Sequence, residues 1–360
     1  MKFLHSGDFH IASSFEHSSF PKELAIERRN DIWRSIDSLI DIVKKKEVDI
    51  LLLSGDLYNE EYVTLSDLKR LSDLFRKIPF TNVFIIFGNH DPYRNKSKWK
   101  LIDLPSNVYL FKEDKITKYE FEEYDVYGIS YIDNILNKDN IFENISLNKS
   151  KRNYFLIHTD IINTNFKYQP IDMNELQKIG FDYIALGHLH KPSAIAENII
   201  YPGSIEPLSF KEQGLHGAVL GEFKDRELAI EFLDVSQSVF TEVEYEIDGN
   251  FNFYELKDLL LNDWIYSDKK NYIRINLTGN LPEEYEIDKE AIENELKNYV
   301  TYLEINNKLD YNLDLEKLRK LNKNNIIGVF LKNMSEYDMN NPVNSEALKL
   351  GLKAILKENK

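Results

Sequence analysis

The sequence predicts an α/β domain followed by a smaller α+β module and a helical C-terminal tail. Three observations carry this. Up to about Val239, short apolar runs alternate with amphipathic stretches, as strands joined by helices do. Residues 22–46 set Leu24, Ile32, Ile36, Leu39, Ile40 and Val43 at helical spacing, and 48–53 follow as an apolar run suited to a strand buried on both faces. Beyond Ser238 the composition turns acidic: residues 240–300 hold 15 acidic and 6 basic side chains, a net of 6 − 15 = −9.

In the acidic module, the alternation over 241–247 predicts an amphipathic strand and 272–277 a second, with helices near 253–261 and 289–299. From about Asp310 the chain is rich in Lys and Asn and reads as helical. Asn341-Pro342 breaks it before a last helix over 345–357. In that helix Leu348, Leu352, Ile355 and Leu356 form one apolar stripe, and Leu350 points away from it. The expected organisation is therefore a catalytic domain over 1–239, a cap over 240–310 and a helical C-terminal region over 311–360.

Composition narrows the function classes. The chain has 360 residues, 42% hydrophobic and 12% aromatic, enough for a sizeable core. No stretch suits a signal peptide or a membrane span, so a cytoplasmic protein without a membrane partner is expected. With no cysteine, any metal must be held by oxygen and imidazole nitrogen. The net charge of −15 argues against a stand-alone nucleic-acid binder. It does not exclude a nuclease, because bound divalent cations reverse the local charge and a partner can supply phosphate grip.

Five apolar runs in the first domain end in polar, metal-capable residues. Residues 3–6 lead to Asp8 and His10, 50–54 to Asp56, and 83–87 to Asn89, His90 and Asp91. Residues 154–157 lead to His158, and 183–186 to His188 and His190. In α/β sheets the working edge lies beyond the carboxyl ends of the strands, so these side chains are expected at one site. Glycines at three of the ends let the backbone turn sharply. Imidazole, carboxylate and one amide oxygen suit Mn²⁺, with Fe²⁺ and Zn²⁺ as alternatives. The candidate ligands exceed the need of one ion. They suit two ions about 3.5–4 Å apart that share a carboxylate.

The series Asp-x-His, Gly-Asp, Gly-Asn-His-Asp, a lone His and Gly-His-x-His resembles the calcineurin-like metallophosphoesterases in order and spacing. Lys191-Pro192, then Tyr201-Pro202-Gly203-Ser204-Ile205-Glu206-Pro207 and Gly217-Ala218-Val219-Leu220, are similar to its DNA repair exonuclease branch, which includes SbcD and YhaO-like proteins. The resemblance implies a two-sheet sandwich flanked by helices. It implies one ion on Asp8, His10, Asp56 and His190, and a second on Asp56, Asn89, His158 and His188, with Asp56 bridging. His90 would assist the departing ribose oxygen and Asp91 would orient His90, while a metal-bound hydroxide attacks phosphorus. It also implies DNA as substrate and an SbcC-like coiled-coil ABC-type ATPase docking on the C-terminal region after about Asp310; a homodimer is a further possible assembly. Serine/threonine phosphatases of the superfamily follow Gly-Asp with an Arg-containing turn, which Leu57-Tyr58-Asn59 lacks. Some nucleases of the branch place a histidine where Asn59 stands, and asparagine does not titrate near neutral pH.

Arg94, Lys96, Lys98 and Lys100, interleaved with Tyr93 and Trp99, read either as a solvated loop or as a phosphate-tracking strip in which Trp99 stacks a base. Arg28 and Arg29 read as a solvated helix face, and His5, His17 and His216 as structural or surface residues. The Pro202-Gly203-Ser204 turn is expected to line the site. Two competing functions are a phosphodiesterase for small cyclic or linear nucleotides and a non-catalytic scaffold; the complete ligand set with His90 counts against the scaffold.

Overall fold

The computed structural model describes residues 1–15, 20–133, 141–142, 145–161, 173–225, 227–248, 251–282, 287–312 and 315–357. His17 lies outside them. The chain divides into two compact units. The first comprises 1–242, 264–273 and 300–302; the second comprises 243–263, 274–299 and 303–360.

The first unit runs β1 (Lys2–Ser6), α1 (Lys22–Lys46), β2 (Ile50–Ser54), α2 (Leu65–Arg76), β3 (Asn82–Ile86) and β4 (Val108–Leu110). It continues with β5 (Thr117–Glu120), β6 (Tyr124–Gly128), β7 (Arg152–His158), α3 (Met173–Ile179) and β8 (Tyr183–Gly187). The last strands are β9 (Ser193–Ala196), β10 (Ile199–Tyr201), β11 (Gly217–Lys224) and β12 (Glu227–Asp234). Two six-stranded sheets result, ordered β12-β11-β1-β2-β3-β4 and β5-β6-β7-β8-β10-β9. Strands β1 to β4 run parallel, as do β6, β7, β8 and β10, while β11, β12, β5 and β9 add antiparallel edges.

The two-residue repeat of each strand explains the layering. Phe3, Ile50, Leu52, Phe84 and Ile86 share a core with Val126, Tyr154, Leu156, Tyr183 and Ala185 of the other sheet. The Phe3 ring lies 4.3 Å from that of Tyr183 and 5.3 Å from that of Tyr154, centroid to centroid. The alternate residues Leu4, Leu51, Leu53, Val83 and Ile85 face the other way, onto the buried stripes of α1 and α2. On the second sheet Phe155, Ile157, Ile184 and Leu186 pack with Leu176 of α3. The structure is thus the expected sandwich of two mixed sheets covered by helices.

Helix α1 begins and ends where its periodicity predicts and stops at Glu47 in the left-handed conformation (φ 52°). One expectation there fails. Arg29 is exposed, but Arg28 is fully buried, because its partners come from distant segments rather than from water. Its guanidinium donates to Asp31 (3.1 Å), to Glu206 (2.8 Å), to the Ser238 hydroxyl and to the Pro207 carbonyl. It also lies over the rings of Phe240 and Tyr272, at 5.5 and 5.1 Å.

Beyond β12 come β13 (Ser238–Glu246), α4 (Phe253–Leu259), β14 (Lys270–Thr278), β15 (Asn280–Pro282), α5 (Lys289–Leu296), β16 (Tyr302–Asn307) and β17 (Asp310–Asn312). β13, β14 and β16 form a three-stranded sheet in that order, and β15 pairs with β17. Helices α6 (Leu315–Leu321), α7 (Ile326–Met334) and α8 (Pro342–Lys357) follow. Pro342 opens α8 rather than merely preceding it, since its missing N–H costs nothing in a first turn. The α8 stripe is not a free docking face: Leu348 and Leu352 are buried against Leu318, Ile327 and Leu331 of α6 and α7, with Ile355 beside them. Leu350 is 59% exposed on the other side. The side chain of Leu356 lies outside the described residues. Among the described residues, no helix is long and apolar enough to cross a membrane.

Candidate metal centre

The carboxyl ends of β1, β2, β3, β7 and β8 deliver Asp8, His10, Asp56, Asn89, His158, His188 and His190 to one region of the first unit. The turns after β1 and β2 run side by side: Asp8 N donates to Gly55 O (2.9 Å) and His10 N to Asp56 O (3.0 Å). Asp8, His10, Asp56 and His188 all take left-handed backbone, with φ of 48°, 49°, 49° and 103°. Non-glycine residues adopt this region at a cost that the surrounding structure must hold in place, and such strain gathers at functional sites. Gly187 is needed for close approach: a Cβ there would lie 2.0 Å from Ser54 O and 2.7 Å from His158 Nδ1.

The side chains converge on two overlapping groups, Asp8–His10–His190 and Asp8–Asp56–His158, with ligand atoms within 4.8 Å of one another in each. Asp56 Oδ2 lies 3.2 Å from His158 Nε2 and 3.9 Å from His10 Nε2, so this one oxygen reaches toward both groups. His10 Nε2 and His190 Nε2 face each other at 3.0 Å, and His158 Nε2 meets Asn89 Oδ1 at 3.1 Å. The His188 ring stands 5.2 Å from that of His158, and its backbone N–H donates to Asp8 (3.1 Å).

The outer nitrogens explain why these rings point inward. His158 Nδ1 donates to the Ser54 carbonyl (2.9 Å) and His190 Nδ1 to Glu212 (2.8 Å). His10 Nδ1 donates to the Asn59 amide oxygen (3.0 Å), whose nitrogen is turned to Ser13 Oγ (3.1 Å). Each partner accepts only, so each Nδ1 carries the hydrogen, and each ring, when neutral, presents a lone pair at Nε2. Those lone pairs point at one another, at carboxylate oxygens and at an amide oxygen. Imidazole nitrogens and carboxylate oxygens crowded this closely are what a cation satisfies, and oxygen with imidazole nitrogen suits divalent metal ions.

Burial raises the Asp8 carboxyl to about 6. Burial would also raise Asp56, but His158, His10 and His90 together hold it below the usual carboxylate range. Burial lowers His10 to about 4 and His188 to about 4, helped by neighbouring imidazoles. Against the same burial, Asp56 lifts His158 to about 9 and Glu212 lifts His190 to about 9. Without a metal, protons on some histidines supply the missing positive charge.

His90 is exposed, with its ring 5.0 Å from that of His10, while its backbone N–H donates to Asp56 Oδ1 (2.8 Å). Asp91 departs from its expected role. Its carboxylate accepts from the backbone N–H of Gly88 (2.7 Å), Asp56 (3.1 Å) and Leu57 (2.8 Å), so it ties the β2 and β3 loops together instead of holding the His90 imidazole.

The cationic strip is also more structural than expected. Trp99 is 2% exposed and packs near Phe87 and Tyr58, so it cannot offer a face to a base. Arg94 pairs with Glu60, and Lys98 donates to the Val63 (2.5 Å) and Glu60 (3.2 Å) carbonyls. Lys96 and Lys100 are exposed. His5 is buried between Tyr183 Oη (2.9 Å) and Ser54 Oγ (3.2 Å), and His216 between Ser204 and the Glu212 carbonyl, the structural roles expected of them. Sequence reasoning missed Glu212, which has the ordinary appearance of a loop glutamate; only its closeness to the Tyr201–Pro207 motif could have flagged it.

Fold and donor set together define a candidate divalent-metal site on a two-sheet α/β sandwich. The chain belongs to the calcineurin-like phosphoesterase family, whose model matches residues 1–192. It is 25% identical over 299 residues to the uncharacterized metallophosphoesterase YhaO of Bacillus subtilis, covering 79% of this chain and 73% of that protein. It is 26% identical over 335 residues to the DNA double-strand break repair protein Mre11 of Sulfolobus acidocaldarius, covering 84% and 81%. To an SbcCD nuclease subunit from Staphylococcus saprophyticus it is 23% identical over 312 residues, covering 77% and 78%.

Proposed function

We propose that this protein is a metal-dependent DNA nuclease that hydrolyses phosphodiester bonds in DNA repair, as an exonuclease with endonucleolytic cutting near ends. The observation that carries the reading is the set of three inward imidazole Nε2 atoms around Asp8 and Asp56, with the exposed His90 beside them. Similarity to proteins named as a double-strand break repair protein and as a nuclease subunit supports DNA as the substrate.

Asp8, His10, Asp56 and His190 would hold one ion, and Asp56, Asn89, His158 and His188 the other, with Mn²⁺ the expected metal. When bound, the metal pair supplies an activated water at neutral pH and positive charge against the phosphoryl oxygens. The protein's own groups do the rest. Asp56 N–H, Leu57 N–H and Gly88 N–H on Asp91 keep the two ligand loops in register. His90, free on its outer side, donates a proton to the departing ribose oxygen. Lys96 and Lys100 meet phosphates further along the strand.

An acidic chain of net charge −15 grips duplex DNA weakly alone. A coiled-coil ABC-type ATPase of the SbcC kind would supply the missing positive surface, and a homodimer would pair two such sites. Because the α8 stripe is buried in its own unit, such a partner would meet the outer side that carries Leu350. The cytoplasm is the expected compartment.

The test is Mn²⁺-dependent turnover of bis-p-nitrophenyl phosphate, then of single- and double-stranded DNA beside cyclic nucleotides at matched metal. Hydrolysis of DNA in preference to cyclic nucleotides is expected. Preference for cyclic nucleotides would reassign the substrate, and no turnover of any diester would leave a scaffold.

A further inference from the structure

Among the three histidines pinned through Nδ1, the pinning groups differ. His158 leans on a backbone carbonyl and His10 on a neutral amide, whereas His190 leans on the carboxylate of Glu212. The His190 side chain is 27% exposed, far more than those of His10 (4%) and His158 (0%), so packing restrains its ring least. Its ring orientation therefore depends most on that one carboxylate.

Glu212 is itself fully engaged. Its Oε1 takes His190 Nδ1–H, while its Oε2 accepts from Leu208 N–H (2.9 Å) and Ser204 Oγ–H (3.1 Å). The segment carrying it is anchored in turn. Glu206 accepts from Arg28 through Oε1 (2.8 Å), and through Oε2 from Ser35 Oγ–H (2.7 Å) and Gln237 N–H (2.7 Å). The 202–216 segment is thus fixed to α1 at one point and to His190 at another.

From this geometry we infer that Glu212 is a positioning residue for the ion at Asp8, His10 and His190, fixing the His190 ring with its Nε2 lone pair inward. The inference rests on the two-metal reading above. A carboxylate behind a ligating histidine sets its tautomer and strengthens its donor nitrogen, and its loss commonly weakens metal affinity by about 10–100-fold. Only the ion that His190 touches should feel that loss. The other ion, at His158, keeps the Ser54 carbonyl as its outer support.

The test is calorimetric titration of metal-free full-length protein with Mn²⁺, for wild type, Glu212→Ala and Glu212→Gln. Thermal unfolding of each metal-free variant serves as the check on folding. Glu212→Ala is expected to weaken one class of Mn²⁺ site by about 10–100-fold and leave the other unchanged. Glu212→Gln, which keeps an acceptor oxygen but not the charge, should fall between, and raised Mn²⁺ should restore its turnover. Equal weakening of both classes, or no change in either, would overturn the positioning role and show Glu212 to be a loop brace alone. A wild-type protein that takes up no Mn²⁺, or a single class of it, would instead overturn the two-metal reading. The two failures thus appear in different proteins. Should Glu212→Ala not fold, the Glu212→Gln titration decides by the same criteria.

Discussion

Replacing Arg28 with alanine tests the buried network directly. The guanidinium is wholly buried and faces two carboxylates with no exposed side-chain surface, Asp31 at 3.1 Å and Glu206 at 2.8 Å. Removing it leaves the Glu206 carboxylate with Ser35 Oγ–H and Gln237 N–H, and no cation beside it. Asp31 keeps Lys270 at 2.6 Å and Arg34 at 2.7 Å, so Glu206 bears most of the loss. Breaking a buried pair from one side typically costs about 3–5 kcal/mol, and the single uncompensated carboxylate here puts Arg28→Ala within that range. The exposed Arg29 makes Arg29→Ala the control, expected to stay within about 0.5 kcal/mol. Urea unfolding followed by tryptophan fluorescence reads this well, because Trp33 and Trp99 both sit in the first unit's core. A loss below about 1 kcal/mol for Arg28→Ala would refute the argument, since that is what an exposed pair contributes.

Three further outcomes are expected. His90→Ala should keep its metal content and lose about 10²–10⁴-fold in turnover, measured by metal counting beside diester hydrolysis; loss of metal would move His90 into the ligand set. Burial holds His5 at about 3, below its ordinary 6.5, so the unfolded chain binds the extra proton between these values and stability falls as pH drops below 6.5. Between pH 7 and 5 this amounts to about 2 kcal/mol, and the urea midpoint of His5→Gln should lose correspondingly less over that interval than that of wild type. In the second unit, Leu352→Ala should destabilise by about 2–5 kcal/mol, as buried leucines do, while Leu350→Ala on the exposed side should be nearly neutral. Equal effects in chemical unfolding would mean the α8 stripe is not packed on α6 and α7.

The parts of this structure legible in the sequence are those encoded locally. The apolar runs ending in Asp8, Asp56, Asn89, His158 and His188 announced both the strands and the edge to which they deliver these side chains. Helix α1 was legible because its buried stripe lies within one segment. What escaped depends on partners far along the chain. Arg28 looks like any helix-surface cation, since Glu206 and Ser238 stand 178 and 210 residues away. Glu212 becomes meaningful only when its loop returns to His190, and Asp91 only when the β2 loop offers it amide hydrogens. Lysines on either side disguised the burial of Trp99. For α8, the periodicity identified the apolar face and not the surface that covers it, which proved to be α6 and α7.

The central claim is that Asp56 joins two metal sites, and counting bound Mn²⁺ in purified protein tests it most directly. Wild type is expected to hold two ions per chain, Asp56→Ala to lose both, and His10→Ala to lose chiefly one, because Asp56 Oδ2 reaches toward both His10 and His158. Equal metal content in Asp56→Ala and wild type would contradict the account.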